Sequence, residues 1–164
     1  MALILSGDAG ITFPVTAGSA SAVQASSTRV LQVVQATYST QSTVTSTTYA
    51  DTGLSASITP SSATSKILVM GTMPMRRQAG SVWGAGLRIV RNSTAVSTVM
   101  SNILYSNTGS TDLSVVTPFN YVDSPATTSA TTYKIQFNSG NASATISTQT
   151  DNDTSVIILM EIAA

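Results

Sequence analysis

From Arg29 onward, apolar and β-branched residues come in short runs, each closed by a turn signal, and none carries helical spacing. Val30-Leu31-Gln32-Val33-Val34-Gln35-Ala36 is the first. Leu54-Ser55-Ala56-Ser57-Ile58-Thr59 alternates and stops at Pro60-Ser61-Ser62. Lys66-Ile67-Leu68-Val69-Met70 reads as a buried strand. Leu87 to Arg91, a turn at Asn92-Ser93, and Ala95 to Met100 read as a hairpin. Leu113 to Val116 and Phe119 to Val122 lie either side of Pro118. Thr132 to Phe137, a turn over Asn138 to Asn141, and Ala142 to Thr148 read as the clearest hairpin. Asp151-Asn152-Asp153 is a turn, and Val156 to Met160 is a final buried strand. About eight or nine such strands predict an all-β fold, an antiparallel β-sandwich or jelly roll.

Residues 1–28 differ. They are small and Ala/Ser/Gly-rich, broken by Gly7, Gly10, Pro14 and Gly18. Their larger residues Leu3, Ile4, Leu5, Ile11, Phe13 and Val15 are costly to leave in water, which favours an extended N-terminal arm that docks on a partner over a free tail. Ala17 to Ala25 reads as a short helix. The expected organisation is therefore a docking arm over 1–28 and a sandwich over 29–164. The Ser/Thr-rich stretch from Thr37 to Thr52 reads as a loop with an extended edge where Tyr38, Val44 and Tyr49 interrupt it.

The chain has no His and no Cys, and only 9% of its residues are charged. Acid–base and nucleophilic catalysis lean on His, Cys or paired carboxylates, so no catalytic residue, cofactor site or metal site is expected. Seven basic and seven acidic residues cancel. That excludes a nucleic-acid partner held by clustered Lys and Arg, and electrostatic docking to an anionic membrane. No apolar run reaches the length of a membrane helix, and the opening Met1 to Asp8 does not read as a signal peptide. Zero net charge favours association, which suits a protein built into an assembly.

The remaining chemical groupings are weak. Asp151-x-Asp153 lacks the Gly and closing Glu of a calcium loop and reads as a turn. Glu161, the sole Glu, reads as a solvated or interface charge. Gly84-Ala85-Gly86 lacks the third Gly and the helix of a phosphate loop. Trp83 beside it either fills the core or anchors a contact surface with Arg76 and Arg77. Alternation places Arg88 and Arg91 on opposite faces, which fits an edge strand or a subunit contact. The Asn107-Thr108-Gly109 tip is a second candidate contact. Asp51, Asp112 and Asp123 are the acids whose convergence would make a glycosidase-like dyad.

Ser6-Gly7-Asp8-Ala9-Gly10-Ile11-Thr12-Phe13-Pro14 resembles a segment of bacteriophage tail-fibre-like proteins. Val30 to Ala36, Ala50-Asp51-Thr52-Gly53-Leu54 and Ile58 to Val69 are similar to blocks in the same virion surface proteins, cyanophage members included. The chain departs from them after Phe13-Pro14, where Val15-Thr16 stands in place of Asp-Gly, and it lacks a long shaft. The resemblance implies a trimeric β-rich module on the phage particle, made in the host cytoplasm. Its partners would be itself as a homotrimer, other virion proteins of the tail, baseplate or major capsid, and host surface polysaccharide or protein. Three classes stand at this point: an adhesive tail fibre, a capsid decoration (cement) protein, and far behind them a glycan-degrading enzyme.

Overall fold

The computed structural model describes residues 29–78, 83–108, 111–142 and 144–164, and the backbone of two short paired strands, β1 (Ile4–Ser6) and β2 (Gly10–Thr12). The expected helix over 17–25, Leu3, Phe13 and the side chains of residues 1–28 lie outside these residues, so of the expected docking residues only the backbones of Ile4, Leu5 and Ile11 are placed, in that pairing.

Ten strands follow: β3 (Val30–Tyr38), β4 (Ser42–Val44), β5 (Ala50–Ile58), β6 (Lys66–Arg77), β7 (Ala85–Arg91), β8 (Thr94–Ile103), β9 (Leu113–Asp123), β10 (Thr131–Ser139), β11 (Ile146–Thr148) and β12 (Ser155–Ile162). They form two antiparallel sheets. One runs β3-β12-β6-β9, with β11 and β4 continuing it beside the far half of β6. The other runs β5-β10-β7-β8. Counting only the eight long strands along the chain, the orders are first-eighth-third-sixth and second-seventh-fourth-fifth. This is the jelly-roll connectivity, two Greek keys folded into a sandwich.

Strict alternation builds the core. In β10 and β12 every second residue is buried, and Ile67, Val69, Leu87, Ile135, Phe137 and Leu159 meet between the sheets with almost no exposed surface. Burying each such side chain contributes roughly 1.5–3 kcal/mol before entropy is charged. Gly53 marks a bulge where β5 slips against β10. Its φ of 89° and the Tyr38 ring packed over its Cα leave no room for a side chain. Beside it, the buried Thr52 hydroxyl donates to the Ile135 carbonyl and accepts from the Leu54 N–H, closing the gap in the ladder.

Four expectations change. Residues 132–148 are not a hairpin. β10 belongs to one sheet and β11 to the other, because Ser139-Gly140-Asn141 carries the chain across the sandwich and all of β11 is buried against β4 and β6. β9 runs unbroken through Pro118, which a strand tolerates at the sheet's edge. β7 is a central strand, not an edge. Its two arginines are tolerated because each is answered: Arg88 lies over the Tyr49 ring and bonds Gln136, while Arg91 forms an ion pair with Asp123 of the opposite sheet at 2.8 Å. Tyr133 donates to the same carboxylate, and burial, together with that bond, raises its pKa.

Glu161 is the fourth. It is fully buried rather than solvated. Its carboxylate accepts from Gln32 Nε2 at 2.6 Å, Ser61 N at 2.8 Å and Ser61 Oγ at 2.7 Å. Burial pushes its pKa up, but the donors from Gln32 and Ser61 outweigh burial and bring it down to about 2. This knot ties β12 to β3 and to the β5–β6 turn.

The outer faces of the two sheets differ. The outer face of β5-β10-β7 is polar: burial pushes the Asp51 carboxyl up, but the bonds from Lys134 and Gln136 together outweigh it and hold its pKa below the ordinary value, and Ser57 bonds Thr132. The outer face of β3-β12-β6-β9 carries Val33, Ile158, Met160, Leu68 and Val122.

Candidate functional site

The antiparallel register fixes two ends of the sandwich. At one, Val30 faces Ile162 and Ile162 faces Lys66, and the Ala163 N–H bonds the Arg29 carbonyl at 2.8 Å. The chain following residue 28 enters here and the described chain leaves here. At the other end, Arg77 faces Leu113 and Ile146, and Ala85 faces Ile103 and Ser139. Turns after β6, β8 and β10 gather there.

The residues singled out in sequence as contacts converge on this loop end. Trp83, at the mouth of β7, is 46% exposed, which resolves the core-or-surface alternative toward the surface. Its neighbour Gly84 has the Ile103 carbonyl where a Cβ would stand, and the Gly140 N–H bonds the Gly84 carbonyl at 2.8 Å. A close three-way backbone approach therefore holds the indole outward. Arg76 lies on the outer face of β6, half-exposed, paired with Asp112 of the β8–β9 connection. Asn107, in the same connection, is exposed. Gly109 falls outside the described residues.

Arg77 is corrected. It is 0% exposed, because the alternation that sends Met73 and Met75 inward sends Arg77 after them. Its Nη2 bonds the Thr111 carbonyl at 3.0 Å, and Nε and Nη1 have no hydrogen-bond partner. It braces the 104–112 connection from inside and is no part of the surface.

Sequence reasoning missed the groove beside these loops. The edge strands β8 and β9 belong to different sheets, and the sandwich opens between them into a groove of about 520 Å³. Met100, Ile103, Leu104, Tyr105, Val115 and Pro118 line it. Met100, Tyr105 and Val115 are large and well exposed. The signal was present as apolar residues at the end of one run and the start of the next, but only the jelly-roll connectivity sets them side by side. Tyr105 is the lone titratable side chain in the lining. Such a groove suits a ligand held by burial and ring contact.

The three acids considered for a dyad go to separate partners, Asp51 to Lys134, Asp112 to Arg76 and Asp123 to Arg91. Asp151 and Asp153 are exposed at a single 3-10 turn (Thr150–Asn152). Among the described residues no helix is long and apolar enough to cross a membrane, and no three His, Cys, Asp or Glu side chains cluster.

No protein-family model and no curated protein matches the chain. Among solved structures it is similar to the VP2 subviral particle of infectious bursal disease virus, at 18% identity and a TM-score of 0.44, covering 99% of this chain and 46% of that one. The Gx strain of the same virus gives 17% identity and a TM-score of 0.46 with the same coverage. The T13 particle gives 19% and 0.40, covering 83% and 36%. The chain spans less than half the length of these structures, and similarity at this level assigns no activity.

Proposed function

We propose that this chain is a non-enzymatic structural protein of a bacteriophage virion, a homotrimeric, short tail-fibre-like surface protein that docks through its N-terminal arm and meets the host surface with its loop end. The polarity of the sandwich carries this reading. Arg29 sits at one end, and Trp83, Arg76 and Asn107 sit at the other, about 40 Å away along β6. A module that is held at its base and makes contact at its tip needs this arrangement. The resemblance of the sequence blocks to tail-fibre-like proteins supports it, as do the exposed rings of Trp83 and Tyr105, which suit the faces of a sugar or an apolar protein side chain.

A second reading, capsid decoration or cement, is favoured by the apolar residues exposed on lateral strands, Val33 of β3 and Val116 of β9 among them. Such flanks suit packing between neighbours. The two readings part on copy number, measured by quantitative mass spectrometry of purified virions against the major capsid protein. A few tens of copies or fewer supports the fibre; hundreds support cement; absence from the particle refutes both. Removing residues 1–28 is expected to abolish incorporation while the sandwich still folds. Normal incorporation of the truncated protein would refute arm docking.

A further inference from the structure

The outer face of the β3-β12-β6-β9 sheet breaks the rule its partner sheet obeys. An antiparallel sheet with one face on the core ordinarily turns polar residues outward. Here the register assembles an apolar row across all four strands: Val33 faces Met160, Met160 faces Leu68, and Leu68 faces Val122. The next row places Ile158 beside Met70, with Gln35 and Asn120 at its margins, and the row after it Val156 beside Thr72 and Pro118, with Thr37 at the β3 margin. No charged side chain stands in these three rows. Val33 and Val122, at the two margins, are 56% and 50% exposed.

We propose that this face is the subunit contact of the homotrimer, turned inward in three copies around a three-fold axis. This rests on the homotrimeric reading above. Four strands make a sheet about 19 Å wide. Three such sheets closed into a triangular prism put each sheet about 5–6 Å from the axis, half the ~10 Å separation of packed sheets. One layer of side chains from each copy therefore fills the prism without a hole. The face measures roughly 600 Å² per copy, close to the ~800 Å² each partner gives to a stable interface, and the flanking edges make up the difference. The charges on this face, Lys66 and the Asp112-paired Arg76, stand at the two ends of β6, so the three uncharged rows between them are best complemented by another uncharged band, which a copy supplies. The prism brings the β3 margin of one copy to the β9 margin of the next, so Val33 meets Val122 of its neighbour.

The test is native mass spectrometry of the purified full chain, with three sets of variants. The wild type is expected at three times the 16.9 kDa chain mass. Val33→Lys with Val122→Lys changes two side chains that are half-exposed within one copy, so the sandwich, followed by circular dichroism, should persist while assembly weakens by more than ~100-fold. Ser55→Lys, on the outer face of the other sheet, should leave the trimer intact. The chain has no Cys, so Val33→Cys with Val122→Cys should link covalently between subunits on oxidation, whereas each single variant should not. A trimer that survives the paired lysines, or that dissociates equally with Ser55→Lys, overturns the face while sparing the homotrimer. A wild-type dimer or monomer overturns the homotrimer itself. Linking by either single cysteine variant overturns the three-fold arrangement.

Discussion

Replacing Glu161 by Gln separates charge from shape at the buried knot. The wild-type carboxylate accepts three donors with no cation beside it among the hydrogen-bonded groups. Its pKa stands at about 2 in the folded chain against 4.5 for the free group. The sign follows directly. A depressed acid stabilises the fold above its unfolded pKa, and that contribution drains away as pH falls from 4.5 through about 2. The full contribution is about 3 kcal/mol. The Gln variant has one acceptor oxygen, and its amide hydrogens would face the Ser61 N–H or the Gln32 amide. Flipping Gln32 to accept would break its other bond, to the Thr59 carbonyl at 2.7 Å. Urea unfolding of the two proteins, followed by circular dichroism, is expected to show the variant about 2–3 kcal/mol weaker at pH 7 and within about 1 kcal/mol at pH 2.5. An equal loss at both pH values would place the cost in packing and refute the charge argument. So would no loss at pH 7.

Gly53→Ala is expected to cost at least about 2 kcal/mol in the same assay, from a positive φ and displacement of the Tyr38 ring; a neutral result would mean the bulge relaxes freely. Arg77→Met should be neutral, or stabilising by up to about 2 kcal/mol, because it removes a buried charge with two unanswered N–H groups while keeping the volume filled. A large loss would mean that the bond to the Thr111 carbonyl dominates at this position.

Local pattern carried most of the strands. The Val30 to Ala36 and Val156 to Met160 runs are β3 and β12, and Asn92, at φ 53°, makes the turn between β7 and β8 as its residue type implies. Pairing across the sandwich was less legible. Asn138 to Asn141 has the composition of a hairpin turn, yet nothing local records that Ile146 finds Arg77 of the other sheet rather than a strand beside β10. Arg88 and Arg91 looked like edge residues because their partners, Tyr49, Gln136 and Asp123, are remote in sequence. Glu161 hid for the same reason: Ser61 and Gln32 reach it across the fold. The exposed placement of Trp83 was more legible, since Gly beside it announces close backbone approach, but the inward turn of Arg77 required the phase of β6 and the groove required the connectivity.

The chain begins and ends its sandwich at the same place, with Ala163 bonded to Arg29, while the turns after β6, β8 and β10 crowd the far end. The molecule thereby keeps the entry and exit of its sandwich at one pole and these connections at the other. Insertions at the exposed stretches of the far turns, such as the one around Asn107 and away from Gly84, Gly140 and the Arg77–Thr111 bond, leave the ladder bonds and the base of the sandwich untouched. A tag or fused domain placed after Ala164 leaves from the base, beside the arm. Diversity can accumulate at one pole without altering how the other is held, and the same property makes the chain a scaffold on which foreign loops can be carried.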